Sequence, residues 1–166
     1  MTDTHDGWEK RMAALWAAID QHEPEDFLAR IAALSAERPA GDAIAAFELA
    51  SANDSTGHPE AAAPLYRQAL AKGLTGLRRR RAAIQLASTL RNLGQAEESV
   101  TILTAERARV SDELDDAVAA TLALALVEVG RAREAVGVAV GALAPHLKRY
   151  NRSMANYAKV LVRGDS

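Results

Sequence analysis

Apolar side chains recur along this chain at intervals of three and four, the spacing that lines one face of an α-helix. Trp8, Met12, Leu15, Trp16 and Ile19 form one such stripe near the start. Leu147, Tyr150, Met154, Tyr157 and Leu161 form another near the end, with Lys148, Arg149, Arg152, Lys159 and Arg163 off it. Glycines, prolines and short polar runs interrupt the pattern. Together they predict helices over 7–20, 25–37, 41–54, 59–72, 76–92, 96–109, 112–129, 132–143 and 147–162. Pro59 suits a helix start. Pro64, one turn further on, removes a backbone donor and should bend its helix.

The pattern repeats. The segments from Ala46 to Leu70, Ala83 to Arg107 and Ala120 to Leu143 align on Gly57, Gly94 and Gly130, which are 37 and 36 residues apart. A fixed period in that range signals stacked helical hairpins. In each unit a Leu-small pair sits seven residues before the glycine: Leu49-Ala50, Leu86-Ala87 and Leu122-Ala123. Five residues after it comes Ala62, Ser99 or Ala135. Antiparallel helices approach to about 8 Å only where the crossing carries small residues. The glycine supplies positive φ at the end of the first helix.

These positions resemble the tetratricopeptide repeat family, and in particular its small bacterial group 5 branch. The resemblance covers residues 42–147 as three hairpins. Tyr66 and Leu103 occupy the family's bulky position in the second helix, where Ala139 is a weak match. Ala69 and Ala142 occupy its last small position, where Glu106 departs from the pattern. The family's closing proline is absent. Residues 7–38 read as a degenerate first hairpin, with Pro24 aligned to Pro59, Ile31 to Tyr66 and Leu34 to Ala69. Residues 147–163 read as a capping helix, since terminal repeats must cover an apolar face. A dimerisation seam is the alternative use of that helix. The resemblance implies an all-α, right-handed α-solenoid of antiparallel hairpins.

Composition agrees with this. Of the 166 residues 49% are hydrophobic but only 4% aromatic, which suits closely packed helices better than a β-sandwich. There is no cysteine, so disulfides and thiolate chemistry are excluded. The first residues lack the basic and apolar regions of a signal peptide, and the longest apolar run, Ala117 to Val127, falls short of the ~20 residues that span a bilayer. A cytoplasmic protein without membrane contact is expected. Arginine exceeds lysine, as in GC-rich bacterial genomes. The net charge of −2 hides an asymmetry: residues 1–60 carry −8 and residues 61–166 carry +6. Such a division fits an anionic partner, head-to-tail self-association, or an uneven solvated surface.

Candidate chemistry is sparse. His5, His22, His58 and His146 form no metal-ligand spacing, and the acidic run Asp20, His22, Glu23, Glu25, Asp26 falls at a predicted turn. No metal, cofactor or catalytic residue is expected, and the protein is read as a non-enzyme. Gly137 and Gly141 form a G-x-x-x-G whose plain role is close approach of a neighbouring helix. Arg78 to Arg81 are four arginines at a helix start, where cations oppose the dipole by about 0.3–1 kcal/mol. That cost points to use, either on an acidic peptide or on the acidic N-terminal hairpin. Nucleic acid is disfavoured because aromatics do not interleave with the basic residues.

In this family the first helix of each hairpin lines a concave groove that commonly holds a peptide or a helix. The resemblance carries that role to Phe47, Glu48 and Ser51, then Arg81, Gln85, Ser88, Arg91 and Asn92, then Ala120, Thr121, Leu124 and Glu128. A carboxylate clamp of the chaperone-binding type is disfavoured. In one register its positions fall on Met12, Trp16, Glu48, Arg81 and Gln85, of which only Arg81 fits. In the other they fall on Phe47, Ser51, Gln85, Ala117 and Thr121. The expected function is protein–protein interaction through the groove, as an adaptor or scaffold, with a protein or peptide partner of acidic character. Self-association as a homodimer is the alternative.

Overall fold

A computed structural model describes residues 3–109 and 111–164, with side chains from residue 7 onward. The described residues are helical almost throughout: α1 (Asp3–Ala17), α2 (Pro24–Ser35), α3 (Ala43–Ser55), α4 (Pro59–Ala71), α5 (Gly76–Asn92), α6 (Ala96–Arg109), α7 (Asp115–Glu128), α8 (Ala132–Leu143) and α9 (Asn151–Arg163). Short 3₁₀ turns follow α1 at Ile19–Gln21 and α8 at Ala144–His146. The chain forms two compact units, residues 1–82 and 83–166. Within the first unit α1 packs on α2, α2 on α3 and α3 on α4; within the second α6 packs on α7, α7 on α8 and α8 on α9, and the fold class is that of a tetratricopeptide-like α-solenoid. Helix α5 runs unbroken through residues 82 and 83.

The aligned positions are the buried ones. Ala50, Ala62, Ala87 and Ser99 are fully buried, and Ala123 and Ala135 nearly so. Each repeat ends its first helix in the same way. The amides of Gly57, Gly94 and Gly130 donate to the carbonyls of Asp54, Arg91 and Val127 at 3.2, 3.0 and 3.1 Å. The next amides, of His58, Gln95 and Arg131, reach back to Asn53, Leu90 and Leu126 at 2.8 Å each. This is a Schellman closure, and it requires the positive φ of 84°, 77° and 78° that the three glycines adopt.

In the first unit, Trp8, Met12, Phe27, Ile31, Leu34 and Ala52 form the core of the N-terminal hairpin and its neighbour. Full burial of such side chains contributes about 1.5–3 kcal/mol each. Trp16 meets Phe27 edge-on at 5.1 Å, and Trp8 Nε1 donates to the Leu34 carbonyl at 2.8 Å. Asp42 caps α3, accepting from the Ala45 amide at 2.8 Å and from Arg38 Nε at 2.7 Å. Helix α4 begins at Pro59 and continues through the exposed Pro64, which has no N–H to offer the carbonyl one turn earlier.

The second unit is built on Ala87, Val100, Leu103, Val118, Leu122, Leu126 and Val138. The departing residue Glu106 is buried and engaged within the fold, while Ala139 is exposed. Helix α7 starts at Asp115 rather than 112, because Asp112 and Asp115 are used in a side-chain turn. The Asp115 carboxylate accepts from the Ser111 hydroxyl and the Asp112 amide, and Asp112 accepts from the Leu114 amide at 2.8 Å.

The last helix differs from expectation in two respects. It starts at Asn151, after a 3₁₀ turn and a left-handed Tyr150, rather than at 147. It also packs on α8 through Ala158, leaving Tyr150 and Tyr157 exposed. The cause lies on α8. A Cβ at Gly137 would stand 2.9 Å from the Ala158 carbonyl oxygen, Leu161 Cβ and Val162 Cγ2. A glycine surface met this closely admits alanine and excludes the tyrosines.

Candidate binding surface on α5 and α7

The first-unit positions expected in a groove are mostly interior. Phe47 is fully buried, 6.3 Å from the Tyr66 ring. The buried Ser51 lies 3.4 Å from the Tyr66 hydroxyl, and burial pushes the Tyr66 phenol pKa upward. Glu48 is also buried. It accepts from Trp16 Nε1 at 2.8 Å and from Arg78 Nε at 3.1 Å. Arg78 also holds Glu9 with Nη1 at 3.1 Å and Nη2 at 2.5 Å. Phe47, Glu48 and Ser51 are therefore engaged in the interior and its polar contacts. Sequence spacing marked Glu48 as inward-pointing, but nothing local to it signalled Trp16 and Arg78 as partners.

The four arginines divide their work. Arg78 is neutralised by Glu9 and Glu48, which offsets the cost of a cation at the start of α5. Arg80 is buried and engaged within the fold, and Arg79 is partly buried. Arg81 is exposed, its guanidinium 5.3 Å from the centre of the Phe47 ring.

In the second unit α5 and α7 lie side by side. Arg91 Nη1 meets Glu128 Oε1 at 2.5 Å, and Arg91 Nη2 donates to Asn92 Oδ1 at 2.9 Å. The opposite side of α5 supplies the buried Ala83, Leu86, Ala87 and Leu90. This leaves Gln85, Ser88 and Asn92 as a stripe at i, i+3 and i+7 outside the core. On α7 the matching stripe holds Ala120, Thr121, Leu124 and Glu128. Leu124 is 55% exposed and its neighbour Val127 54%. Thr121 turns its hydroxyl to its own helix, donating to the Ala117 carbonyl at 2.8 Å. Val127 was missed by carry-over from the family pattern; its place one turn after Leu124 was the available signal.

Two polar atoms on this surface have no hydrogen-bond partner among the described residues. They are Gln85 Oε1 and Arg91 Nε, both shielded from solvent. A shielded acceptor without a donor costs about 1–3 kcal/mol. If the partly exposed Gln85 side chain turned its Oε1 outward, a partner's amide N–H would recover that cost.

The acidic run between α1 and α2 gathers no ligand set. No group of three ligating side chains converges among the described residues. Asp26 instead accepts from Arg30 at 2.7 Å and lies 3.0 Å from His22 Nδ1. His58 lies 3.1 Å from the Thr56 hydroxyl, and His146 Nε2 lies 2.9 Å from Asp116. The side chain of His5 is outside the described residues. No described helix is long and apolar enough to cross a membrane.

Hairpins repeated with one crossing pattern and one turn define a helical-repeat protein of the kind used as protein-interaction modules. The family is shown directly: the group 5 model described as Tetratrico peptide repeat matches residues 43–161, and the chain belongs to that family. The match runs from the start of α3 into α9 and omits the N-terminal hairpin. No curated protein and no solved structure gives a significant match.

Proposed function

We propose that the α5–α7 face of the second unit binds a segment of a partner protein. Gln85, Ser88, Arg91, Asn92, Thr121, Leu124 and Glu128 form this surface. The observation that carries the reading is the unpartnered Gln85 Oε1 on α5 together with the exposed Leu124 on α7. A peptide amide would satisfy the first and an apolar side chain would cover the second. Arg91, already turned toward the surface by Glu128, offers a guanidinium to an acidic residue by exchange of partners. The test is affinity capture from the source cell with the wild-type chain and with Gln85→Ala, Asn92→Ala and Leu124→Ser combined. These side chains lie outside the core, so circular dichroism should be unchanged while partner recovery falls at least about ten-fold. Equal recovery by both proteins removes this surface from consideration.

A second reading, self-association, is favoured by one observation. Val136 and Leu143 on α8 and Tyr150 and Tyr157 at α9 are exposed, at 52, 55, 70 and 61%. On α9 the cations Arg152, Lys159 and Arg163 are more than a quarter turn away from Tyr157, so copies meeting there would not oppose like charges. Light scattering across a dilution series decides it: a mass independent of concentration and equal to one chain excludes this second reading.

A further inference from the structure

A cleft of about 290 Å³ opens where α9 lies on α8, on the side of the α6 C-terminus. Gly137, Gly141, Ala155, Ala158 and Val162 form its floor, and Arg107, Lys159 and Arg163 its rim. No carboxylate lines it. None of the three rim cations makes an ion pair among the described residues. Arg107 and Arg163 stand in the last turns of α6 and α9, whose carbonyl ends carry roughly −0.5 of a charge each. Three cations against these two ends leave about +2 facing the cleft. The surrounding chain is itself basic: from Val129 to Ser166 seven basic residues stand against two acids, Asp165 and Glu134, the latter paired with Arg131.

We propose that this cleft is a second docking site, separate from the α5–α7 face, for an acidic segment of a partner protein that lays one apolar side chain against the cleft floor. Beneath the rim the lining is apolar throughout, with two glycines, Ala155, Ala158 and Val162, so an apolar group can rest on it. Its polar demand comes only from the rim and is entirely for anions. A membrane surface fits less well, because it needs apolar groups that protrude and this feature is concave. A second copy of the chain fits less well too. The acidic half carries the charge, but among residues 7–76 no large apolar side chain is exposed to serve as the anchor.

The test uses the full chain, isotope-labelled, titrated with the peptide Asp-Asp-Glu-Leu-Glu-Asp blocked at both ends. Amide shifts are expected at Gly137, Gly141 and Ala158, weakening as salt is raised from about 50 to 500 mM. Lys159→Gln with Arg163→Gln should weaken the peptide about ten-fold, as loss of two complementary charges does. Both side chains are exposed, so the fold should be retained. Gly141→Ala keeps every charge but raises the floor and should also weaken the peptide. Four results would overturn the proposal: no shift at millimolar peptide, shifts confined to α5 and α7, dilution-dependent shifts at these amides without peptide, or binding to phosphatidylglycerol vesicles but not to peptide. The triple variant at Gln85, Asn92 and Leu124 should bind this peptide normally, which separates failure of one surface from failure of the other.

Discussion

Gly137 and Gly141 are one helical turn apart and share a helix face, yet they should respond oppositely to the same change. At Gly141 an added Cβ would meet Ala158 Cβ at 3.6 Å, an ordinary contact. Replacing a helix-interior glycine by alanine then recovers about 1 kcal/mol of backbone entropy. At Gly137 the added atom would stand 2.9 Å from a backbone oxygen that a side-chain rotation does not move. Here the overpacking cost of about 1–3 kcal/mol exceeds the entropic gain. Urea denaturation of the two single variants should show Gly141→Ala moving the midpoint up and Gly137→Ala moving it down. Movement in the same direction would mean that α9 does not rest on α8 as described.

At the level of the element, the Trp16–Glu48–Arg78 contacts tie α1, α3 and the start of α5 together within the first unit. Glu48→Ala would leave the Trp16 indole N–H without its acceptor and remove one of the two carboxylates held by Arg78. A loss of about 2–4 kcal/mol is expected in equilibrium unfolding, reduced from the value for a wholly buried pair because Arg78 is partly exposed. A change below about 0.5 kcal/mol would show the network to be incidental. The same element scale shows what the sequence could and could not disclose. Glycines, prolines and small crossing residues act locally or with one neighbour, so the helices, the turns and the buried stripe were readable. The orientation of α9 was not, because its apolar stripe and its small-residue face compete and the outcome is decided by Gly137 on another helix. On α5 and α7 the expected positions lie outside the core. The burial of Phe47, Glu48 and Ser51 was not legible, because it depends on Tyr66, Trp16 and Arg78 rather than on repeat position.

For the molecule as a whole, acid should act on the first unit through three carboxylates. A hydrogen bond from Arg38 holds the Asp42 pKa below its ordinary value, against the opposing effect of burial and with help from the Ala45 amide. Arg30 does the same for Asp26, and Arg11 for Glu37. Each depressed group binds fewer protons folded than unfolded. Its contribution is therefore complete above the unfolded value, about 4, and is lost as pH falls through the lower folded value. Hydrogen exchange at Ile31 and Ala46 should accelerate, relative to intrinsic rates, between about pH 4 and pH 2. Protection independent of pH across that interval would deny these ion pairs a role in stability.

Exposed large apolar side chains are unevenly placed. Among residues 7–164 all of them lie from Leu77 onward. A ribosome releases the chain from its amino end, so the part with covered apolar groups emerges before the adhesive part. The adhesive surface thus meets other newly made chains only after the first part has had time to fold.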